Sequence, residues 1–517
     1  MTRDTVVLFK GSPYTESVSG RVPLIPLSLI CLSSSLKKAG FRVVMLDDCN
    51  QIEKIAEIKD KIVCVGISAL TSNEITDGIE FSKEIREIRN DIPVVWGGWH
   101  VSILPEESVK SEHVDIVVFA LGQEIFTNLA ECIRDGGDIS QISGIYYYEN
   151  GVRKTDVFKT SGMDKNPLPD FEALDLEYYR KHSLMIRHKP TINGIDITGY
   201  LYYITSFGCP NLCTYCCSRA MFGPRIYKYG LDKVADQIKW LVEEKGFNSL
   251  GFMDANFFID INRVKKLCEL LIEKNVKFAW DAQMYPRDII RYEKRGLMAL
   301  VKKAGCFRVN IGAESGSQEI LDYIKKHVSV EEIVESAKIL TKHNIDAAFN
   351  LLFGLPKVED KRHLYETFNM AAEIKKINPD FVFPISFYVP FPGTPMYNDA
   401  IEKGLIEPKT LDEWGKFDTN YATASDNFPW RNKKLEKLVY MVMIFYMPLA
   451  FPGNIYRGTL RNMKERASRS LFVRLASWVA RQRVKFSFYH LPFEYMLFKA
   501  FERTPYVGGG AVELNDK

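Results

Sequence analysis

Three cysteines fall within one short stretch, Ser206-Phe207-Gly208-Cys209-Pro210-Asn211-Leu212-Cys213-Thr214-Tyr215-Cys216-Cys217, with the spacing C-x3-C-x2-C for Cys209, Cys213 and Cys216. Three thiolates on one loop can hold three irons of a four-iron cluster and leave the fourth iron open to an outside ligand. An electron-transfer cluster differs, because four cysteines close every site. Two other readings remain open. A structural zinc site usually takes two C-x2-C or C-x2-H pairs. No second pair is visible, and Cys217 adjoins Cys216, where neighbours rarely both reach one metal. Inert apolar cysteines would sit on a buried strand or helix stripe, which Gly-Cys-Pro followed by Asn and Thr does not resemble.

The elements that must carry this loop are legible on both sides of it. From Tyr202 to about Tyr397 strands alternate with helical patterns, and strand ends fall near Ser206, Met253, Ala282, Ile311, Phe353 and Tyr388. Six such units predict a partial parallel (β/α)6 barrel, whose sites lie at the C-terminal strand ends. Upstream, strands are expected at 5–9, 41–47, 61–68, 93–98 and 116–120, with helices at 27–38, 73–88 and 124–134. That alternation predicts an α/β, doubly wound parallel sheet, which binds ligands beyond the carboxyl ends of its strands. The expected domains are 1–140, a linker over 141–195 with a hairpin-like 146–151 and the proline-punctuated 166–170, the barrel over 196–410, and a helical basic region over 411–517.

The cysteine spacing resembles the signature of the radical S-adenosylmethionine (SAM) enzymes, in which SAM chelates the open iron. The resemblance extends downstream. Gly312-Ala313-Glu314-Ser315-Gly316-Ser317 looks like the fourth-strand motif that meets SAM, with Glu314 and Ser315 as contacts, although a helix N-cap at Ser315 or Ser317 is compatible. Gly251-Phe252-Met253-Asp254-Ala255-Asn256-Phe257 occupies the second-strand position; the usual G-G-E is replaced, so Asp254 is the candidate for the SAM amino group, or else a cap on the following turn. Gln283 closes the third strand and is expected to face the mouth. Tyr215 stands where an aromatic packs near the SAM adenine or shields the cluster. Phe353-Gly354-Leu355-Pro356 and Pro390-Phe391-Pro392-Gly393-Thr394-Pro395 match later loops and are read as backbone-shaping.

In the N-terminal domain Ser68-Ala69-Leu70 is followed after 26 residues by Gly97-Gly98. Paired glycines at a strand end allow close backbone approach to a bulky ligand. These residues resemble the S-x-L and G-G elements of the cobalamin-binding fold. The third element, D-x-H-x-x-G, is replaced by Arg21-Val22-Pro23-Leu24-Ile25-Pro26, so the histidine that would ligate cobalt from below is absent. Radical SAM enzymes with an N-terminal cobalamin-binding domain often show this replacement. Gly97-Gly98-Trp99-His100, Leu104-Pro105-Glu106-Glu107 and Gly122-Gln123-Glu124 also resemble that group, with its G-E-G-E degraded here to Ala-Leu-Gly-Gln-Glu. Ser68, Leu70, Gly97, Gly98 and Gly122 are the expected cobalamin contacts. A flavodoxin-like domain that only scaffolds the barrel is the alternative, and His100 is either a cobalt ligand or a structural residue beside a glycine turn.

The resemblance implies a [4Fe-4S] cluster held by Cys209, Cys213 and Cys216, SAM, and cobalamin. It implies reductive cleavage of SAM to a 5′-deoxyadenosyl radical, hydrogen abstraction from an unactivated carbon, and methyl transfer from cobalamin. Such chemistry is beyond side chains alone, and no side chain is assigned as acid, base or nucleophile. Non-methylating radical chemistry (ring closure, rearrangement or carbon–carbon coupling) and a non-catalytic corrinoid or cluster carrier are the alternatives.

Composition bounds the partners. The chain has 517 residues, 46% hydrophobic and 26% charged, too long for one core and typical of globular domains. Ten cysteines, of which the six outside the cysteine loop are scattered, suit a reducing cytosol rather than a disulfide scaffold, and no secretory signal is evident at the start. Only Arg219, Arg225 and Lys228 follow the cysteines, which argues against nucleic-acid binding. From residue 431 onward 16 Lys and Arg stand against 6 Asp and Glu, around an apolar run at 438–448 that is shorter than the ~20 residues of a bilayer span. Such a tail could lie on a membrane surface or form a solvated basic cap. The expected partners are a small or lipid-like substrate and an electron donor of flavodoxin or ferredoxin type. The expected location is cytoplasmic, with peripheral membrane contact through the tail.

Overall fold

The structure is a computed structural model, and it describes residues 3–11, 24–46, 52–160, 162–183, 191–192, 194–357, 360–417, 428–453, 471–496, 506–507 and 510–511. The N-terminal sheet is built from β1 (Thr5–Phe9), β2 (Arg42–Leu46), β3 (Ile62–Ser68), β4 (Val94–Gly97), β5 (Ile116–Val118), β6 (Ile145–Tyr148) and β7 (Val152–Lys154). The order is β2-β1-β3-β4-β5-β6-β7, parallel through β5. β1 and β3 read as unbroken apolar runs because helices cover both faces, and every residue of both strands is buried. Helices α1 (Leu27–Lys38), α2 (Asn73–Ile88), α3 (Trp99–Ile103) and α4 (Gly122–Arg134) complete the layers. The strand order reverses between β1 and β3, the switch point at which open sheets of this order bind ligands.

The hairpin expected near 146–151 forms, but not as part of an irregular linker. β6 pairs antiparallel with β5 and with β7, so the N-terminal sheet runs on to Lys154, past the boundary expected at 140.

The second sheet has six parallel strands in sequential order: β8 (Tyr200–Tyr203), β11 (Ser249–Phe252), β12 (Ala279–Gln283), β13 (Cys306–Glu314), β14 (Asp346–Phe353) and β15 (Ile385–Phe387). It is the expected open barrel. The first strand stops three residues early, at Tyr203. Ser206–Phe207 (β9) instead pairs antiparallel with Tyr227–Lys228 (β10), a small ribbon that the sequence did not signal.

The chain beyond the barrel divides. Residues 411–415 return to the N-terminal domain, where Trp414 donates from Nε1 to Glu107 at 2.6 Å. Residues 433–450 pack on the barrel, with the Tyr440 and Phe387 rings 5.5 Å apart. The helix Leu471–Lys485 donates from Ser477 Oγ to the Leu449 carbonyl at 2.8 Å. Among the described residues no helix is long and apolar enough to cross a membrane.

Candidate active site at the barrel mouth

The cysteine loop runs from β9 into the helix α5 (Ser218–Phe222). Gly208 makes the exit from β9 possible: its φ is +87°, and a β-carbon there would lie 2.2 Å from the Arg225 carbonyl oxygen. Asp254 fixes the start of the loop. Its carboxylate is buried and accepts from Thr205 N at 2.9 Å, Thr205 Oγ1 at 2.7 Å and Ser206 Oγ at 2.5 Å. The loop is also stitched to neighbouring strand ends. Thr214 N donates to the Ile324 carbonyl and Met396 N donates to the Thr214 carbonyl, both at 3.0 Å.

Cys209, Cys213 and Cys216 border one cavity of about 230 Å³, together with Tyr215, Ser218, Arg219, Asn256, Gln283, Tyr285, Gly312, Glu314, Lys326 and Asn350. Burial pushes the thiols up, Cys213 to about 11 and the neighbouring Cys217 to about 12, while the Lys326 ammonium pulls Cys209, Cys213 and Cys216 back down. Glu314 sits at φ +60°, an uncommon conformation for a residue with a β-carbon. It accepts from Tyr215 Oη and from Lys326 Nζ, each at 2.8 Å. Burial pulls the Lys326 ammonium down, and Glu314 with the thiols of Cys213 and Cys216 more than offsets this, leaving it raised.

Of the residues expected at this mouth, the cysteines, Tyr215, Gln283 and Glu314 converge on the cavity. Asp254 and Ser315 do not border it. Asp254 spends its oxygens on Thr205 and Ser206, neither as a cap on the turn that follows it nor on the cavity wall. Ser315 is buried against Thr367 Oγ1 at 3.0 Å and accepts from Ser317 N at 3.1 Å, so it shapes the turn after β13. Lys326, Asn256, Arg219, Tyr285 and Asn350 were not anticipated. Asn256 lies two residues past Asp254 in a motif already singled out. Lys326 follows another lysine, a pair that ordinarily reads as solvated surface.

At the other sheet the cobalamin candidates also assemble. Ser68 pairs with Gly97 across β3 and β4. The Ser68 hydroxyl donates to Ser28 Oγ at 3.0 Å. Gly98 (φ +97°) lies against Ala69, while a β-carbon on Gly97 would meet only the Val118 carbonyl oxygen, at 3.8 Å, leaving that strand end open. Leu70 is exposed beside it, and Gly122 opens α4 after β5. His100 does not face this opening. It is 1% exposed, packs on Trp414 at 5.3 Å between ring centroids, and meets Thr71 Oγ1 at 3.1 Å through Nδ1. Burial pulls it down to about 3, so it is the structural residue of the two readings. Of the segment replacing the lower-ligand motif, residues 21–23 lie outside the described residues, and Leu24 is partly exposed.

The two carboxyl edges face each other. The Trp99 ring of α3 meets Phe222 of α5 edge-on at 5.7 Å. Gln123 Nε2 donates to Tyr229 Oη at 3.1 Å, and a β-carbon on Gly393 would lie 2.9 Å from Ile103. The open edge at Gly97 therefore docks beside the cysteine loop.

The implied groups fit these residues. Among the described residues no group of three Cys, His, Asp or Glu side chains is set to hold a single metal ion. The three thiols instead border a space shared with two buried polar atoms that lack partners, Asn256 Oδ1 and Ser218 Oγ. Such atoms are costly to bury unpaired and suit a polar ligand seated there. For a corrinoid, the unfilled space at Gly97 is the matching feature.

Comparison with known proteins gives the same division. Residues 203–371 match the radical SAM superfamily and residues 17–130 match the B12 binding domain. The chain is 26% identical over 418 residues to the uncharacterized methyltransferase PH0819 of Pyrococcus horikoshii, covering 79% of this chain and 85% of that protein. It is 26% identical over 402 residues to the anaerobic magnesium-protoporphyrin IX monomethyl ester cyclase of Rubrivivax gelatinosus, covering 75% and 68%. The fold is shared with the cobalamin-dependent SAM radical enzyme OxsB, solved with aqua-cobalamin and SAM bound, at TM-score 0.67 and 16% identity, over 96% of this chain and 75% of that one.

Proposed function

This chain belongs to the cobalamin-binding radical SAM enzymes, with a [4Fe-4S] cluster, SAM and cobalamin as cofactors, and on that premise we propose that it methylates an unactivated carbon of a small or lipid-like substrate. The observation that carries this reading is the docking of the open Gly97 edge onto the cysteine loop through Trp99 and Phe222. On this reading a methyl donor and a hydrogen-abstracting site share one mouth. The resemblance to a methyltransferase over 85% of that protein's length supports the same choice.

The bound cofactors supply the electron, the radical and the methyl group. The chain supplies placement. Cys209, Cys213 and Cys216 hold the cluster, and Asp254 fixes the loop that presents them. Asn256, Ser218 and Gln283 offer hydrogen bonds to the polar groups of SAM, and Arg219 offers a cation to its carboxylate. Tyr215 and Glu314 close the cavity wall. Ser68, Leu70, Gly97, Gly98 and Gly122 seat the corrinoid, Gly97 by leaving room and Gly98 by packing on Ala69.

The second reading, non-methylating radical chemistry, is favoured by the likeness to the cyclase. Anaerobic reconstitution with iron, sulfide and hydroxocobalamin, followed by dithionite, SAM and a substrate extract, separates the two. Methylation yields 5′-deoxyadenosine together with S-adenosylhomocysteine. Deoxyadenosine alone would favour the second reading, and neither product would overturn both.

An enzyme of this family needs an electron donor, here read as a flavodoxin or ferredoxin in a reducing cytoplasm. The C-terminal region is read as the contact with an anionic membrane surface. Trp478, Phe486, Phe488 and Phe493 are all more than half exposed, with Arg474, Arg481 and Lys485 in the same segment. Flotation with phosphatidylglycerol vesicles tests this. Recovery with the vesicles is expected, and equal recovery of a variant with Trp478 and Phe486 changed to Ser would contradict it.

A further inference from the structure

We propose that Lys326 is the charge-compensating and positioning residue of the cluster site. Its side chain is buried, yet it borders the same cavity as the three thiols. It leaves the helix Gln318–Tyr323 in a turn where Lys325 and His327 both have positive φ, +50° and +54°, a conformation these residues rarely adopt. The turn is therefore held by its contacts, and one of them is the Ile324 carbonyl that accepts from Thr214 of the cysteine loop.

The ammonium has three donors. It donates to Glu314 Oε1 at 2.8 Å and to Tyr215 Oη at 3.3 Å, and lies 4.9 Å from the centroid of the Tyr285 ring. Gly312 makes the space: a β-carbon there would lie 2.5 Å from Lys326 Nζ and 2.4 Å from Glu314 Oε1. A buried ammonium is expensive unless paired. Glu314 supplies that pairing, and Cys209, Cys213 and Cys216 border the same cavity. Arg219 also borders the cavity but lies exposed at its rim, so Lys326 is the buried cation beside the three cysteines.

Cluster potentials respond to net charge and nearby hydrogen bonds. A buried cation favours the added electron of the reduced cluster and raises the potential, whereas Glu314 opposes it. The two charges are thus predicted to act with opposite sign.

This inference rests on the cluster reading, so the wild-type protein is first checked for four irons and the matching paramagnetic signal when reduced. Midpoint potentials are then titrated for K326M, K326R, E314Q and the K326M/E314Q pair. K326M is expected to shift the potential down and E314Q up, with the double variant between the singles and K326R close to wild type. A purely structural role moves the singles the same way, with loss of iron, and makes the double the worst. If K326M takes up no cluster, K326R and E314Q decide. Shifts of the same sign in K326M and E314Q, no shift in either, or no upward shift in E314Q where K326M holds no cluster would overturn the proposal. A wild-type protein without a four-iron cluster would overturn the cluster reading with it.

Discussion

At the carboxyl edge of the N-terminal sheet, Ser68, Gly97 and Gly98 offer backbone and open space. At the facing edge of the barrel, three thiols, a carboxylate and a buried ammonium crowd one cavity. Both edges occupy the place where parallel sheets bind ligands, so topology does not explain the contrast. The cofactors do. A corrinoid arrives with its metal already ligated and needs room and an apolar neighbour such as Leu70. A cluster is built on the chain's own thiolates, and here the chain also sets a buried cation, Lys326, beside them.

The contrast predicts that each edge can be broken alone. Cys213→Ala is expected to have the largest effect: loss of cluster iron and of all turnover, with hydroxocobalamin still bound at wild-type stoichiometry. Iron analysis and the visible spectrum check this; loss of both cofactors would deny the edges their independence. Gly97→Val is the mirror image. Its side chain enters the space left open beside Val118, and corrinoid affinity should fall at least tenfold, about 1.4 kcal/mol, with iron content unchanged.

Buried titratable groups sharpen the same comparison. His100, under the N-terminal edge, is pulled by burial from 6.5 to about 3. Below pH 6.5 the unfolded chain binds the proton and the folded one does not. Stability is therefore lost as pH falls toward 3, by up to roughly 4 kcal/mol. Asp281, on β12 inside the barrel, is pushed by burial from 3.8 to about 6, with Tyr200 Oη donating to it at 3.1 Å and Asn310 Nδ2 at 2.9 Å. Here the folded state holds the proton, so stability falls as pH rises from 3.8 to 6 and then stays level, a cost of roughly 3 kcal/mol at neutral pH. His100→Phe should flatten the acid limb of a denaturation series. Asp281→Asn should gain more stability at pH 7 than at pH 4, less about 1 kcal/mol for a lost acceptor. The smallest effect is expected for Asn256→Ala and Gln283→Ala, each weakening SAM binding by about 1 kcal/mol or some fivefold, measured by calorimetry on the cluster-loaded protein.

Much of this was legible in the residues, for unequal reasons. Cys209, Cys213 and Cys216 announce themselves because a cluster tolerates few spacings. The strands of both sheets were readable because buried parallel strands are unbroken apolar runs, as in β1 and β3. The antiparallel ribbon of β9 and β10 was not, since two-residue strands carry no periodicity. Asp254 was singled out but its partners were not: a carboxylate at a strand end reads alike whether it meets a ligand or, as here, Thr205 and Ser206 on the adjoining segment. Lys326 was invisible, because its burial depends on Gly312 and Glu314, which come close to it only through a helix and a strained turn.

On the reading proposed above, the two edges serve one reaction space. The most direct test is electron paramagnetic resonance of the protein loaded with both cofactors, with the corrinoid as cob(II)alamin and the cluster reduced. The expected result is a cob(II)alamin signal broadened and relaxed faster by the nearby cluster, and sharp again in Cys213→Ala. A cob(II)alamin signal identical in the two proteins would contradict it.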